Sequence, residues 1–390
     1  MTGRRRDIDW LRAGAVYLLL LFHSARPFDS GSWHIKDSDR PQAVETLTGA
    51  ISAWHMPLLF TLAGWSIVPS LDRRGADGLL RERRQRILVP FAFGTVALIP
   101  VCAWVEQRHK GNTEESFLEY LPSFFTSLDQ FTWMHLWFLI YLYVFTTLYL
   151  PAMRRVHARG WQVERVPPWM IYAAIVPLAA VQVGLRGRWP GYQNLYDDWA
   201  NFAFYSLFFV GGFLLTCFPE VERTLHGERR RAAVLGISAL IGMALLAGNG
   251  MPATGSAAWI ALHSLSAVAA LCIVVAALGY GAQLLAGSER GLDFARNSAM
   301  PVYVLHQPII ILLALPIVGL PAGVPLKLGL LVGASTAATL LAYRLAQRSS
   351  TLLWLLGSKP AVRTRSGAAS RSSRRGARIR GLTRRATTRS

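Results

Sequence analysis

The sequence predicts an all-α, polytopic membrane protein. Its 390 residues are 52% hydrophobic and only 16% charged, whereas soluble domains carry about 25% charged residues. Apolar runs of about 17–25 residues, each long enough to cross a bilayer, recur along the chain. Clusters of arginine alternate with these runs, as expected where cytoplasmic loops carry the positive charge. We therefore expect one helical membrane domain over residues 1–350, followed by a basic tail over residues 351–390.

The apolar runs predict about ten transmembrane helices. The first run is not a cleavable signal peptide, because it contains Asp9 and Arg12 and no small-residue cleavage site follows it. The second is long, and we expect a kink at Pro57. The predicted spans lie near residues 10–28, 43–69, 87–105, 135–153, 169–186, 199–217, 232–248, 258–278, 299–319 and 326–346.

The distribution of charge indicates a topology rather than a nucleic-acid partner. The formal net charge is +19, but residues 357–390 alone hold eleven Lys and Arg and no acidic residue. The positive-inside rule places both termini in the cytoplasm, which requires an even number of spans. We expect the tail to be disordered and to contact anionic lipids, with no nucleic-acid partner. Three scattered cysteines predict neither a disulfide framework nor a metal site.

Three ionisable residues in the first span form the strongest candidate site, since such groups are costly at bilayer depth unless paired or facing a cavity. His23 follows Arg12 by eleven positions, which returns to the same helical face about 16 Å along the axis. Asp9 precedes Arg12 by three positions and can pair with it. The spacing predicts a polar track that ends at a titratable imidazole. His23 is then a candidate general base, unless it only bonds a neighbouring helix.

Two further motifs flank the second and third spans. In WHMPLLFTLAGWSI, Pro57 and Gly64 predict either a discontinuity lining a cavity, with His55 facing it, or a purely structural kink. In RERRQRILVPF, Arg83 and Arg86 are neighbours on one helical face at the cytoplasmic side. Paired guanidinium groups suit phosphate, although ordinary topogenic charge would look the same.

Two more motifs contain histidine inside or beside an apolar run. His135 and Trp137 open the fourth predicted span at the outer surface, where an aromatic belt is expected in any case. Tyr303 and His306 lie one turn apart in the ninth span, followed by Gln307 and Pro308. These residues indicate either a cavity wall or plain hydrogen bonding between helices.

In this order the motifs resemble the integral-membrane acyltransferase-3 family, and especially its glucan-succinylating branch. The opening signature of that family, an Arg followed by ten residues and a His, is met by Arg12 and His23. The next match is FHSARPF…WHIKD, which contains His34. The segment WHMPLLFTLAGW also matches, although Ala63 stands where the family usually has Ser.

The resemblance continues to residue 345 and excludes the basic tail. Arg83-x-x-Arg86-x-x-x-Pro90 is similar to the Arg-x-x-Arg motif of the family, which is associated with the acyl donor. HLWFLIYL and VYVLHQPIII complete the set. The resemblance implies a multi-pass protein of the cytoplasmic membrane that moves an acyl group, acetyl or succinyl, from acyl-coenzyme A to a hydroxyl of a glycan or another acceptor.

The same resemblance suggests a role for each candidate residue, with no permanently bound cofactor and no metal. We expect His23, supported by Arg12 and Asp9, to act in catalysis, and Arg83 and Arg86 to bind acyl-coenzyme A. The residues expected to line the acceptor site are His34, His55, His135, Trp137, Tyr303 and His306.

Two alternatives remain at this stage. A transporter or flippase would use the intramembrane charges as a proton relay, but transporters often show paired broken helices in matching halves, and no second half is visible. The chain also has no GxxxxGK[ST] motif, which argues against ATP-driven transport. A membrane sensor with the tail as its output is the other alternative, although the tail offers no folded recognition module.

Overall fold

The computed structural model describes residues 5–248 and 250–358. These residues form helices, turns and loops without any strand, which confirms the all-α fold class. Eight helical segments among them are long and apolar enough to cross a membrane. The first two helices, of 20 and 24 residues, are more polar but also reach about 30 Å, the thickness of the hydrocarbon core. The placement of both termini in the cytoplasm stays a prediction.

The helices agree closely with the predicted spans. Those of the first half are α1 (Arg6–Ala25), α2 (Gln42–Trp65), α3 (Ile67–Arg83), α4 (Val89–Phe93), α5 (Ile99–His109), α6 (Phe117–Thr126), α7 (Trp137–Ala158), α8 (Pro168–Ala173) and α9 (Ile175–Leu185). Those of the second half are α10 (Trp199–Cys217), α11 (Pro219–Gly227), α12 (Arg229–Ala247), α13 (Ala257–Leu284), α14 (Leu292–Val318), α15 (Val324–Ala346) and α16 (Ser350–Leu355).

The third span is longer than predicted. A helical segment of 43 residues runs from Ile67 to His109, through α3, α4 and α5. It bends at Gly75, whose φ of 67° and ψ of −179° are open to glycine. Two π-helical turns, Arg84–Leu88 and Gly94–Leu98, join its parts. Such turns are frequent at functional sites, and the first begins directly after Arg83.

Helix α2 runs through Pro57 without a break, so the discontinuity predicted there is wrong, while the kink stays a prediction. Pro57 has no N–H for the carbonyl of Ala53 one turn earlier, while its own carbonyl accepts a hydrogen bond of 2.8 Å from the Thr61 hydroxyl. Gly64 allows a close approach of two helices. A Cβ atom there would lie 1.8 Å from the Phe209 carbonyl oxygen, and one on Gly212 would lie 2.0 Å from that of Thr61. Helices α2 and α10 therefore pack backbone to backbone.

Helix α1 is central and packs against α2, α13, α14 and α15. At the other end of the chain, α16 packs beside α4, with Leu353 and Leu356 buried. Residues 351–358, which we had assigned to the basic tail, therefore belong to the folded body. The rest of the predicted tail, residues 359–390, lies outside the described residues.

Candidate functional site

The loop between α1 and α2 is held in place by buried ion pairs. Asp29 is 1% exposed and binds both Arg26 and Lys36. Asp37 is 3% exposed and accepts a hydrogen bond of 2.8 Å from Lys327 of α15. Paired charges at these positions anchor the loop to the helices beneath it. The anchored loop carries Trp33 and His34 onto the C-terminal end of α1.

Four histidines come together there, and we call His23, His34, His135 and His306 the imidazole cluster. The ring centroids of His23 and His306 are 5.1 Å apart, as are those of His135 and His306. Trp33 stacks on His23 at 5.0 Å and lies 4.6 Å from His34. One imidazole thus comes from each of four elements, which are α1, α14, the turn that begins α7, and the loop between α1 and α2.

Backbone carbonyl groups fix the protonation of two of these rings. His135 Nε2 donates to the Val304 carbonyl at 3.1 Å. His306 Nδ1 donates to the Tyr303 carbonyl at 2.7 Å, and the hydroxyl of Tyr303 donates to the His135 carbonyl. The opposite nitrogens, Nδ1 of His135 and Nε2 of His306, are buried with no partner among the described residues, as is Nδ1 of His23. Three polar ring atoms are therefore available to a ligand.

Glu106 is a member of this site that the sequence analysis missed. His34 Nδ1 donates to the Glu106 carboxylate, and Gln307 Nε2 donates to His34 Nε2 at 2.9 Å. The third predicted span ends at residue 105, but α5 extends to His109 and includes Glu106. An acid inside a span was the signal that would have found it.

Two residues predicted to line the acceptor site, His55 and Trp137, have partners within the protein. His55 Nε2 donates to the Ala15 carbonyl at 2.7 Å, which ties α2 to α1. Trp137 is 6% exposed and packs on Phe60 and Tyr205 rather than lying in an interfacial belt. His135 is 5% exposed and likewise lies inside the protein rather than in such a belt.

The other predicted site residues meet at the opposite end of α1, and we call Arg12, Arg83 and Arg86 the arginine cluster. Arg12 lies 3.5 Å from Asp9, as predicted, and donates to the Leu62 carbonyl at 3.1 Å. Its charge acts on both Arg83 and Arg86, so the three guanidinium groups repel one another. A cluster of like charges of this kind attracts an anion.

Arg83 and Arg86 each also bind other groups of the protein. Arg83 Nη2 donates to the Ser66 hydroxyl at 2.7 Å, while its Nε is buried without a partner in the described part of the chain. Arg86 lies 3.5 Å from Glu82 and donates weakly to the Gly357 carbonyl at 3.4 Å. Both guanidinium groups thus retain donors that a phosphate can engage.

The predicted polar track between Arg12 and His23 is wrong. Val16 and Leu19 lie on the same stripe of α1 between them, and both are buried in the apolar core. The two clusters are therefore separated by about 16 Å of apolar helix surface. Arg12 accordingly lies too far from His23 to share hydrogen bonds with it. Among residues 5–248 and 250–358, no group of three His, Cys, Asp or Glu side chains is arranged to hold a metal ion.

The all-α membrane body has buried imidazoles at one end of α1 and cations at the other. These are the features of a membrane-embedded enzyme. The sequence profile of the acyltransferase-3 family, described as "Acyltransferase domain", matches residues 5–344. The chain belongs to this family and is an acyltransferase.

Named relatives support the same conclusion. Glucans biosynthesis protein C from Escherichia coli O6:K15:H31 (strain 536 / UPEC) is 21% identical over 323 residues, which cover 78% of this chain and 82% of that protein. The protein of the same name from Escherichia coli (strain K12) has the same identity and coverage. No solved structure matches the chain. The resemblance read from the motifs is thereby confirmed at the level of the family.

Proposed function

We propose that the protein lies in the cytoplasmic membrane and transfers an acyl group from cytoplasmic acyl-coenzyme A to a hydroxyl of a glycan on the outer side. The observation that carries this proposal is the pairing of two unlike clusters at the two ends of α1. Cations at one end suit the phosphates of the donor, and neutral imidazoles at the other suit proton transfer from a hydroxyl. The name of the relatives supports a glycan as the acceptor.

The donor binds first at the arginine cluster. Arg83 and Arg86 contact its phosphates, and Arg12, which we had expected to stabilise charge at the reacting atoms, joins them because it lies at this end of the helix. The acyl end of the donor has to pass from the arginine cluster to His23, on the side of α1 where Val16 and Leu19 lie.

The chemical step takes place beside His23. Its imidazole accepts the proton of the acceptor hydroxyl, and the oxygen attacks the thioester carbonyl carbon. The carbon–sulfur bond breaks as the new ester forms, and the imidazolium returns the proton to the departing thiolate. The products are the acylated acceptor and free coenzyme A, with His23 restored. His306 and His135 stand within reach to hold neighbouring hydroxyls.

Reconstituted protein provides the direct test. Purified full-length protein in lipid vesicles is incubated with radiolabelled acetyl- or succinyl-coenzyme A inside and glucan outside. We expect label to appear in the glucan, and we expect none with His23→Ala. If the wild type moves glucan or label across the membrane without forming an ester, the protein is a transporter and the proposal is wrong.

A further inference from the structure

Trp33 holds a buried indole N–H that has no acceptor. Its Nε1 atom is shielded from solvent and has no hydrogen-bond partner in the described part of the chain. This atom is the one polar atom of the side chain, and it can only donate. Because an unpaired buried donor is unfavourable, most such groups in native proteins have a partner, and an exception calls for an explanation.

The indole is fixed beside the proposed base. The rings of Trp33 and His23 stack with their planes 20° apart and their centroids at 5.0 Å. The guanidinium carbon of Arg26 lies 5.6 Å from the centroid of the indole, within the range of a cation–π contact. Arg26 is itself bound to Asp29, which is buried under the loop. The position of the indole next to His23 is therefore set by packing and by paired charges.

The neighbouring imidazoles differ from Trp33 because their N–H groups are already engaged. His34 donates to a carboxylate, and His135 and His306 each donate to a backbone carbonyl. Those hydrogens hold the imidazole cluster together. The hydrogen of Trp33 Nε1 has no such role among the residues that the structure describes, so it is free to bind a group of the substrate.

The proposed reaction creates an acceptor close to His23. The attacking hydroxyl oxygen lies about 3 Å from the ring nitrogen that takes its proton, and it approaches the thioester carbon from about 3 Å. The carbonyl oxygen is then within about 7 Å of that nitrogen. As the new carbon–oxygen bond forms, the second electron pair of the carbonyl moves onto this oxygen, which becomes negatively charged. Trp33 lies inside the same radius.

We propose that Trp33 Nε1 donates a hydrogen bond to that oxygen, so that Trp33 is a second catalytic residue beside His23. This inference rests on the proposed function. The N–H gains its acceptor as the charge develops, so the bond is strongest in the transition state and lowers the barrier. The carbonyl then re-forms, the carbon–sulfur pair leaves with sulfur, and His23 returns the proton to it. Nε1 is left without a partner again.

The first experiment removes the donor and keeps a ring on His23. In lipid vesicles with acetyl- or succinyl-coenzyme A and glucan, Trp33→Phe is expected to lower kcat about 10²–10³-fold and to leave both KM values nearly unchanged. Trp104→Phe is the matched control, because that indole N–H donates to the Glu115 carbonyl. Its kcat should stay the same.

Three outcomes of this experiment would overturn the inference. An unchanged kcat in Trp33→Phe leaves the proposed function standing without an indole donor. A rise in KM for the glucan alone would place the N–H on the acceptor instead of the carbonyl oxygen. If the wild type forms no ester, the proposed function and the inference fail together.

The second experiment replaces the carbonyl oxygen of the acyl donor by sulfur. Sulfur is a weak hydrogen-bond acceptor, so the wild type should prefer the ordinary thioester to the dithioester. We expect the ratio of the two kcat/KM values to fall about tenfold or more in Trp33→Phe, since one charge-assisted bond no longer distinguishes the donors. This ratio is independent of the folded fraction. An unchanged ratio would show that the indole only holds His23 in place, and the inference is wrong.

A third variant separates the hydrogen bond from packing. Incorporation of 3-benzothienylalanine at position 33 keeps the shape of the tryptophan side chain and puts sulfur in place of the N–H. We expect the same fall in kcat and in the ratio as in Trp33→Phe. Full activity of this protein would assign the loss in Trp33→Phe to packing and refute the inference.

Discussion

The imidazole cluster and the arginine cluster lie at the two ends of one helix face, and they differ in how their hydrogen bonds are satisfied. In the imidazole cluster, backbone carbonyls fix the protons of His135 and His306, Glu106 fixes that of His34, and one buried ring nitrogen of each of His23, His135 and His306 has no partner among the described residues. In the arginine cluster, the side chains are more exposed, and three cations share few carboxylates. Rigid, buried acceptors favour selection of a substrate, whereas exposed, under-neutralised cations favour capture of an anion.

An apolar stripe of α1 separates the two clusters. Val16 and Leu19 keep the charge of the arginines away from the imidazoles, so each end of the helix works in its own electrostatic environment. A polar track would have coupled them and admitted water. The variants below test whether the two clusters have separate functions, in order of decreasing expected effect.

Removal of His23 should produce the largest effect. General acid–base catalysis contributes about 10²–10⁴-fold in rate, so His23→Ala is expected to lower kcat by this factor while KM for acyl-coenzyme A stays the same. His109→Ala, an exposed histidine at the outer end of α5, is the matched control and should leave kcat unchanged. Near-normal acyl transfer by His23→Ala would reassign the base to His306.

Loss of the ion pair under the outer loop should affect stability next. Lys327→Met leaves the buried Asp37 carboxylate without its cation, which typically costs about 3–5 kcal/mol. We expect a lower thermal unfolding midpoint in detergent, with coenzyme A binding retained in the folded fraction. The double variant Lys327→Met/Asp37→Asn should recover part of the loss, because no bare charge remains. An unchanged midpoint in the single variant would show that the pair does not anchor the loop.

The arginine cluster should respond in donor binding and not in catalysis. A charge-assisted contact is worth about 1.5–3 kcal/mol, so Arg83→Ala or Arg86→Ala should raise the Kd for coenzyme A about tenfold or more. Arg84→Ala removes an exposed charge between the two and is the control. Isothermal titration calorimetry measures all three variants. Unchanged binding in the Arg83/Arg86 double variant would show that the two arginines serve only to set the membrane topology.

Arg12→Lys should have a smaller effect at the same end. Lysine keeps the charge but lacks the planar fork that lets Arg12 reach Asp9 and the Leu62 carbonyl together. Loss of one ordinary hydrogen bond corresponds to about a two- to tenfold rise in KM for the donor. A fall in kcat with unchanged KM would instead return Arg12 to the chemical step and break the separation of the clusters.

The smallest expected effect is a loss of stability at low pH in the loop between α1 and α2. Burial raises the pKa of Asp37, but its hydrogen bonds with Lys327 and the backbone of Asp39 outweigh burial and leave that pKa below its ordinary value. The stabilisation is therefore complete above the ordinary pKa of about 3.9 and is lost as pH falls through the lowered value. Unfolding midpoints between pH 6 and pH 3 should decline less steeply in Asp37→Asn. Parallel curves for the two proteins would contradict this.

Local properties of the chain account for what the sequence predicted well. Membrane spans depend on the length and hydropathy of a run, and the pairing of Asp9 with Arg12 depends on a spacing of three residues. The continuity of α2 at Pro57, in contrast, could not be predicted from the neighbouring residues. Pro57 offers no N–H to the carbonyl of Ala53, and the close packing of α10 holds α2 in place.

By itself, the sequence determined the all-α membrane class, the family, and the identity of the titratable residues in each span. Only the tertiary structure decided which of them meet. His34 reaches Glu106 across 72 positions and Gln307 across 273, and such contacts depend on how α5 and α14 pack around α1. The direction of each hydrogen bond follows from that packing. The hydrogen bonds that fix the protons of His34 and His135 therefore belong to no single segment, because each joins residues far apart in the chain, whereas the bond that fixes the proton of His306 lies within α14.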